Sequence, residues 1–446
     1  MRILKFGGTS LGNAQRLRNA ADIVRNHTNC VVVCSAMAGV TNALEAVIIS
    51  WKQGDKTRAF EQLKSIEENF AHHSFELFVA PASATRVIED VQAMYVPVYE
   101  LLGADYDPEN DGKVLALGEL VTSYIFNEYL RESGTDSFLM NAMDVLHLNG
   151  QDEPDVEDIA KKILSLDFYS GSGIYVSQGF ICLDGQGRVS NLKRGGSDYT
   201  ATLFGAALKA DAIEIWTDID GLHNNDPRFV PNTTPVRELS FAEAAELAYF
   251  GAKILHPSCV RPAREYEIPI LLKNTLEPGA AGTIIGSQLT AGGIKAISAK
   301  DNITVLRITS GRMFNAYGFL KRLFEVFDSF RLPVDVVTTS EVSVSVTIED
   351  DTHLEALRHE LSKLGRVSIE REQCIVCVVG DVMPHVSGVL EKVEPFRVNM
   401  VSLGASSNNI TLVLPQENKT AALLALHALI TNSQFQKLQP CTPLQA

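Results

Sequence analysis

The sequence predicts an α/β fold, a mainly parallel sheet sandwiched by helices, followed by two smaller βαββ units. Apolar runs of strand length alternate with amphipathic helical stretches as far as about residue 287. Glycine pairs and small residues stand just past the ends of several of those runs. Beyond a glycine- and alanine-rich stretch at 277–293, read as a linker, a strand–helix–strand–strand pattern occurs twice. Alternating strands and helices cover both faces of a sheet, which goes with parallel strands.

Met1-Arg2-Ile3-Leu4 reads as the first buried strand, and Lys5-Phe6-Gly7-Gly8-Thr9-Ser10 closes it. A helix is expected from near Asn13, capped by the two hydroxyl residues. Glycines there let backbone N–H groups converge on an anion, the helix N-terminus adds partial positive charge, and Lys5 adds a full one. The same turn also serves as a plain tight connection. No G-x-x-x-x-G-K-[ST] run occurs, which argues against an ordinary P-loop ATPase.

The second strand, residues 30–35, leads into Ser35-Ala36-Met37-Ala38-Gly39-Val40-Thr41-Asn42. Small residues at a strand's carboxyl end allow a ligand close to the backbone, and they equally suit a helix-capping turn. Helices are expected over 60–78 and 114–132, with solvated loops at 102–112 and 149–157. Within the second helix, Gly118-Glu119-Leu120 offers a carboxylate for an ammonium group, or simply a half-exposed helix position. Residues 173–178 form another buried strand.

In Arg194-Gly195-Gly196-Ser197-Asp198-Tyr199-Thr200 the arginine supplies a two-pronged donor for a carboxylate or phosphate, and the glycines free the backbone to wrap an anion. Ser197 and Asp198 are expected to cap the next helix. The strand at 213–216 leads into Thr217-Asp218-Ile219-Asp220-Gly221, where an acidic residue can hold a ribose hydroxyl. Arg228 and Lys253 can neutralise phosphates, whereas His256, before a proline, reads as structural. Residues 269–272 are a shorter strand.

The first repeat takes in strand 303–308, helix 319–330 and strands 334–337 and 342–348; the second takes in 374–379, 387–396, 398–401 and 410–414. Phe330 aligns with Phe396 and Val334 with Val398. Units this small bury their sheets poorly alone and are expected to pair with each other or with another subunit. Cys374-Ile375-Val376-Cys377 lies inside a core strand that splays its thiols to opposite faces, and no partner pair stands at metal-ligand spacing. No metal site of protein side chains is expected.

At 446 residues, with 46% apolar and 21% charged residues, the chain is an ordinary globular protein of more than one domain. A net charge of −15 argues against nucleic-acid and anionic-membrane partners. No apolar run reaches bilayer length, there is no signal-peptide pattern, and residues 421–430, with His427, read as an amphipathic surface helix. Seven scattered cysteines fit a reducing cytoplasm.

The order of these motifs, from Lys5–Ser10 through Gly118-Glu119 and the Arg194 run to residues 251–257, resembles the aspartate kinases of the amino acid kinase family. The repeat resembles their tandem ACT domains, which are ferredoxin-like βαββ units. The nearest type is the monofunctional, lysine-inhibited one, because no dehydrogenase domain follows. The resemblance implies a kinase domain at 1–290 and a regulatory region at 291–446, with one ACT unit inserted in the other. It implies phosphoryl transfer from ATP to the side-chain carboxylate of L-aspartate, giving 4-phospho-L-aspartate, the first step towards lysine, threonine and methionine. Lys5 would neutralise the transferring group with Gly7, Gly8 and Thr9 as backbone donors, and Asp198 would orient Lys5 or the metal-bound phosphates. Arg194 would clamp the substrate α-carboxylate and Glu119 its ammonium, with Ser35, Thr41, Gly195 and Ser197 lining the pocket. Thr217, Asp218, His223, Arg228 and Lys253 would hold ATP, whose phosphates Mg²⁺ bridges.

Two positions depart from the family pattern: Lys193 replaces a glycine, and His223 replaces a tyrosine. L-lysine, the expected effector, would bind at Met313, Gly318, Phe319, Leu320, Val334, Asp335, Thr339, Ser340 and Glu341. The second repeat has Asn399 in place of Asp335 and would mainly pair with the first, across a homodimer or higher assembly. The competing expectations are a relative acting on glutamate, acetylglutamate, carbamate or UMP, and a degenerate kinase surviving as an amino-acid-sensing module.

Overall fold

The computed structural model describes every residue except 194, 252–254, 256, 288–291, 314–316, 405 and 432–446. It divides into two compact units, one of Met1–Leu222, Arg237–Phe241 and Leu255–Leu289, the other of His223–Val236, Ala242–Ile254 and Thr290–Ala446.

The first unit is built on β1 (Arg2–Phe6), β2 (Cys30–Cys34), β3 (Ser137–Met140), β4 (Ile174–Gln178), a hairpin of β5 (Ile181–Leu183) and β6 (Val189–Asn191), β7 (Ala212–Thr217), β8 (Glu238–Ser240), β9 (Ile270–Asn274) and β10 (Thr283–Gly286). Eight strands form one sheet in the order β3-β4-β2-β1-β7-β9-β10-β8, all pairs parallel except β9 with β10. All five residues of β2 are buried, as a central strand covered on both faces requires. Around the sheet run α1 (Ala14–Arg25), α2 (Val40–Lys52), α3 (Lys56–Leu77), α4 (Pro81–Gly103), α5 (Asp111–Glu132), α6 (Ala142–Val145), α7 (Val156–Leu164) and α8 (Gly196–Leu208). α9 (Phe241–Tyr249) and α10 (Pro257–Glu265) follow β8 in the chain. Trp51, Phe70, Tyr95 and Phe126 belong to one buried core that the helices share with the strands.

Three local expectations are corrected here. Thr9 and Ser10 do not cap α1: they sit in a 3₁₀ turn, Gly8–Leu11, and the Asn13 side chain is the cap, accepting from Arg16 N. Ser197 and Asp198 lie in the first turn of α8, whose cap is Gly195 in the left-handed conformation (φ 76°). The stretch 277–293 is not all linker, because it contains β10. Gly282 (φ 68°) makes the approach to β9, where a Cβ would stand 2.0 Å from the Leu272 carbonyl oxygen. The glycine therefore marks a close backbone approach at the start of β10.

The second unit carries β11 (Ile294–Thr309), α11 (Phe319–Ser329), β12 (Val337–Thr339), β13 (Ser343–Ile348), α12 (Leu354–Ser362), β14 (Arg366–Gly380), α13 (Val386–Val393), β15 (Met400–Leu403), β16 (Asn409–Pro415) and α14 (Lys419–Thr431). Its sheet is antiparallel, in the order β12-β13-β11-β14-β16-β15. β11 and β14 are more than twice the expected length, and each serves both repeats. Leu306 faces Val346 and Ile369 in one half, and Ile297 faces Val378 in the other. Irregular pairing around Ile303, with Asn302 and Glu372 at positive φ, separates the halves. The polar residues Lys300, Asp301 and Asn302 break the apolar run there, which hid the leading half of β11 from periodicity.

Asp335 lies before β12 rather than inside a regular strand. Val336 N donates to the Thr347 hydroxyl (2.8 Å), so the ladder becomes regular only at Val337. The repeat alignment is visible in the backbone: Asp335 N donates to Thr347 O, and Asn399 N to Val413 O. α14 is less of a surface helix than expected, since Ala422, Leu423, Leu426 and Leu429 are buried and His427 with them. No helix among the described residues is long and apolar enough to cross a membrane.

Candidate active site

The parallel strands of the first unit end level with one another. Phe6 stands opposite Cys34 and Trp216, and Cys34 opposite Gln178. The loops that follow are laced together, with Gly7 N donating to Trp216 O (3.1 Å), Ser35 N to Phe6 O (3.2 Å) and Gly179 N to Cys34 O (2.8 Å). The β1 connection runs to β2 on one side while β7 flanks β1 on the other. This reversal of strand order, with the strands still parallel, opens a crevice at the carboxyl edge of the sheet, the usual place for a ligand in such folds.

A cavity of about 880 Å³ occupies that edge. Lys5, Gly8, Thr9, Ser35, Thr41, Glu119, Gly195, Ser197 and Asp198 all line it. Close backbone approaches shape its walls. A Cβ on Gly8 would lie 2.7 Å from the Ala36 carbonyl oxygen, and one on Gly179 would lie 2.5 Å from Ser197 Cβ. Lys5 Nζ is 2.5 Å from Asp198 Oδ1, both side chains being almost fully buried. Gly7 lies just behind this pair, its Cβ position 3.7 Å from Lys5 Nζ.

Glu119 reaches the cavity because Gly118 lets α5 press on the Ser35 loop, where a Cβ would meet Ala36 Cβ at 2.7 Å. The Glu119 carboxyl is 3% exposed and its Oε2 has no hydrogen-bond partner among the described residues. Burial pushes its pKa up to about 8, with the Ala36 backbone N–H and the Lys5 charge opposing that rise only partly. An acid in this state has room for one more donor or one positive charge. Gly118→Ala is expected to overpack this contact and destabilise the protein by about 1–3 kcal/mol, read as a lowered urea midpoint.

Thr217 ends β7 at the same edge and Asp218 follows it, with Thr217 Oγ1 donating to Asp218 Oδ1 (3.2 Å). His223 and Arg228 belong to the second unit. There His223 Nδ1 pairs with Thr233 Oγ1 (2.8 Å), and Arg228 is held by the Asp226 carboxylate. Arg194, Lys253 and His256 lie outside the described residues. No group of three or more His, Cys, Asp or Glu side chains among the described residues is placed to hold a metal ion.

Sequence reasoning missed Phe180, which lines the cavity at φ 68°. It also passed over Glu45, Leu115 and Asn191. The signal available for Phe180 was the Gln178-Gly179-Phe180 turn directly after a buried strand. Lys193, one of the two departures, lines the same cavity at φ 59°, a conformation in which glycine is unstrained and lysine is not.

Residues 1–274 match the model of the amino acid kinase family. The chain is 34% identical over 444 residues to the lysine-sensitive aspartokinase 3 of Escherichia coli, spanning 96% of this chain and 98% of that protein. The chain belongs to the aspartokinases. It is 32% identical to the chloroplastic aspartokinase 1 of Arabidopsis thaliana, covering 95% of this chain and 79% of the relative. Among solved structures, E. coli aspartokinase III in complex with aspartate and ADP superposes with a TM-score of 0.84 at 32% identity, covering 97% of this chain and 100% of that one. The lysine and aspartate complex of the same enzyme gives 0.76 at 33% identity, covering 96% and 99%. The fold expected for an aspartokinase, a mainly parallel sheet between helices with an antiparallel C-terminal sheet, is the one observed.

Proposed function

We infer that this aspartokinase transfers the γ-phosphoryl group of ATP to the side-chain carboxylate of L-aspartate, giving 4-phospho-L-aspartate and ADP. The observation that carries this is the buried Lys5–Asp198 pair at the carboxyl edge of the sheet, in one cavity with the unpartnered carboxyl of Glu119. Phosphoryl transfer through a loose transition state demands positioning and positive charge more than covalent chemistry. Lys5 brings its charge to the transferring oxygens, and Asp198 keeps the ammonium aimed. Gly8 and Thr9 offer backbone N–H groups beside it, whereas the Gly7 N–H, expected as a third donor, is taken by Trp216 O and its glycine instead keeps the space next to Lys5 Nζ open. Glu119 receives the ammonium of aspartate, Arg194 its α-carboxylate, and Ser35, Thr41, Gly195 and Ser197 complete the pocket. Thr217 and Asp218, at the carboxyl end of β7, serve ATP.

Mg²⁺ fits this donor set, because it binds through phosphate oxygens and water with one or two carboxylates rather than a protein cage. Asp198 would be the carboxylate that holds it, and the ion would supply neutralisation of phosphate charge. Residues 1–290 form the kinase domain and 291–446 the paired ACT units in this reading. L-lysine is the effector, and a second copy of the chain covers apolar residues such as Phe324, Leu390 and Val401, which are 37–42% exposed. The six cysteines described are all buried free thiols, in keeping with a reducing cytoplasm.

Incubation with ATP and L-aspartate, with hydroxylamine trapping of the acyl phosphate, tests the reaction directly. Aspartyl hydroxamate that requires both substrates supports it, and ATP consumption with glutamate or acetylglutamate but not aspartate overturns it. A pH dependence follows from Glu119. Its carboxylate must be charged to hold an ammonium, so kcat/KM for aspartate is expected to climb as pH rises towards about 8 and then level off. Glu119→Gln is expected to flatten that limb. The sign for stability is opposite. From about 4.5 to about 8 the folded state binds the proton that the unfolded chain has lost, so the ligand-free protein loses stability as pH rises through that window. Denaturation midpoints across pH, with and without aspartate, check this.

A further inference from the structure

Within the second unit, α9 presents three polar side chains at intervals of three residues, each on a different partner. Glu243 pairs with Lys295 of β11 (2.8 Å), both side chains being more than nine-tenths buried. Glu246 accepts from Asn409 of β16. The Tyr249 hydroxyl donates to Asp335 Oδ1 at 2.9 Å. Beyond the helix, Gly251 (φ 113°) lies flat on β11, where a Cβ would stand 2.1 Å from the Ala299 carbonyl oxygen. The end of α9 is thus fastened to the strand position next to Lys300.

Asp335 is the centre of this cluster. Its side chain is 6% exposed, and Oδ1 takes both the Tyr249 hydroxyl and Lys300 Nζ (3.1 Å). Lys300 is also 2.9 Å from the exposed Glu349 and lies 5.4 Å from the centre of the Tyr249 ring. Oδ2 is buried without a hydrogen-bond partner among the described residues. Two carboxylates against one ammonium leave one negative charge over, and a buried carboxylate oxygen without a donor is costly. The arrangement calls for one more cationic donor.

We propose that Tyr249 reports the filling of Asp335 to α9, and that Lys300 is the internal ammonium against which an effector amine binds. The proposal rests on reading L-lysine as the effector. An amine arriving at Oδ2 draws the carboxylate away from Lys300 and Tyr249, and the Tyr249 bond passes that shift to the end of α9. Two residues on, the chain enters the Gly251–Lys253 segment, expected to serve the nucleotide. The effector moves α9 only as far as its affinities for the two arrangements differ. Tyr249 and Lys300 are therefore positioning residues, neither in contact with ATP or aspartate in this reading.

The test uses the full chain, with L-lysine binding followed by calorimetry and inhibition by the ATP/aspartate assay. Tyr249→Phe is expected to bind L-lysine within about threefold of wild type and to keep the uninhibited kcat and KM, while its half-inhibition concentration rises about fivefold or more, the lower end of ordinary couplings. Lys300→Met, which keeps the aliphatic stem, is expected to bind L-lysine about fivefold or more tighter, and Lys300→Arg to restore the wild-type value. Unchanged inhibition in Tyr249→Phe, parallel loss of binding and inhibition in it, or weaker or unchanged binding in a folded Lys300→Met protein overturns the proposal alone. A wild-type chain that neither binds nor responds to L-lysine overturns the effector reading and this proposal with it.

Discussion

Lys5→Met is expected to lower the turnover of aspartate-dependent ADP formation by about 10²–10³-fold or more, the range for losing one preorganised charge or donor at a transition state. The residue stands near the end of β1, whose last four residues are buried, with its ammonium held on Asp198. Its charge meets negative charge that develops only as the phosphoryl group transfers, so the loss falls on kcat more than on either KM. The substitution also leaves the buried Asp198 carboxylate unpaired, which can destabilise by about 3–5 kcal/mol. Lys5→Met/Asp198→Asn removes that second effect, because both charges leave together. Steady-state kinetics on both variants, with circular dichroism to establish the fold, separate the two. Turnover within tenfold of wild type in a folded variant removes Lys5 from the reaction.

Asp335→Ala is expected to raise the L-lysine concentration for half-inhibition by at least about 30-fold, the low end for truncating a buried charge that pairs with an incoming one. Because the substitution strips Lys300 of a partner, Asp335→Asn is the gentler companion. It keeps an oxygen for the Tyr249 hydroxyl and loses only the charge. The inhibitor titration is run at fixed ATP and aspartate. Inhibition at the wild-type lysine concentration in either variant refutes the site, and a wild-type chain that ignores lysine but responds to threonine has a different effector. The second repeat offers a built-in comparison: Asn399 donates to Glu370 and Gln373 at 2.9 and 2.8 Å and presents no charge for an amine.

Much of this molecule was legible in local pattern. Strand-length apolar runs, glycines just past their ends and a repeated strand–helix–strand–strand unit are properties of neighbouring residues, and they determined the α/β sheet, the regulatory repeat and the family. The turn at Gly7-Gly8 announced itself because close backbone approach and φ freedom are demands that few residues meet. Cys374 and Cys377 were read as core from their place in an apolar run, and burial indeed raises both thiols.

Tertiary structure alone decided the rest, since burial, register and charge pairing depend on segments distant in the chain. It put Asp198 on Lys5, and it enclosed Glu119 until its carboxyl shifted towards neutrality. It turned part of a glycine-rich linker into β10, and it drew β11 and β14 through both repeats. It also set Tyr249 and Lys300 on one oxygen of Asp335. No spacing rule connects those three residues; only folding brings a helix end, a strand and a strand approach within hydrogen-bonding distance.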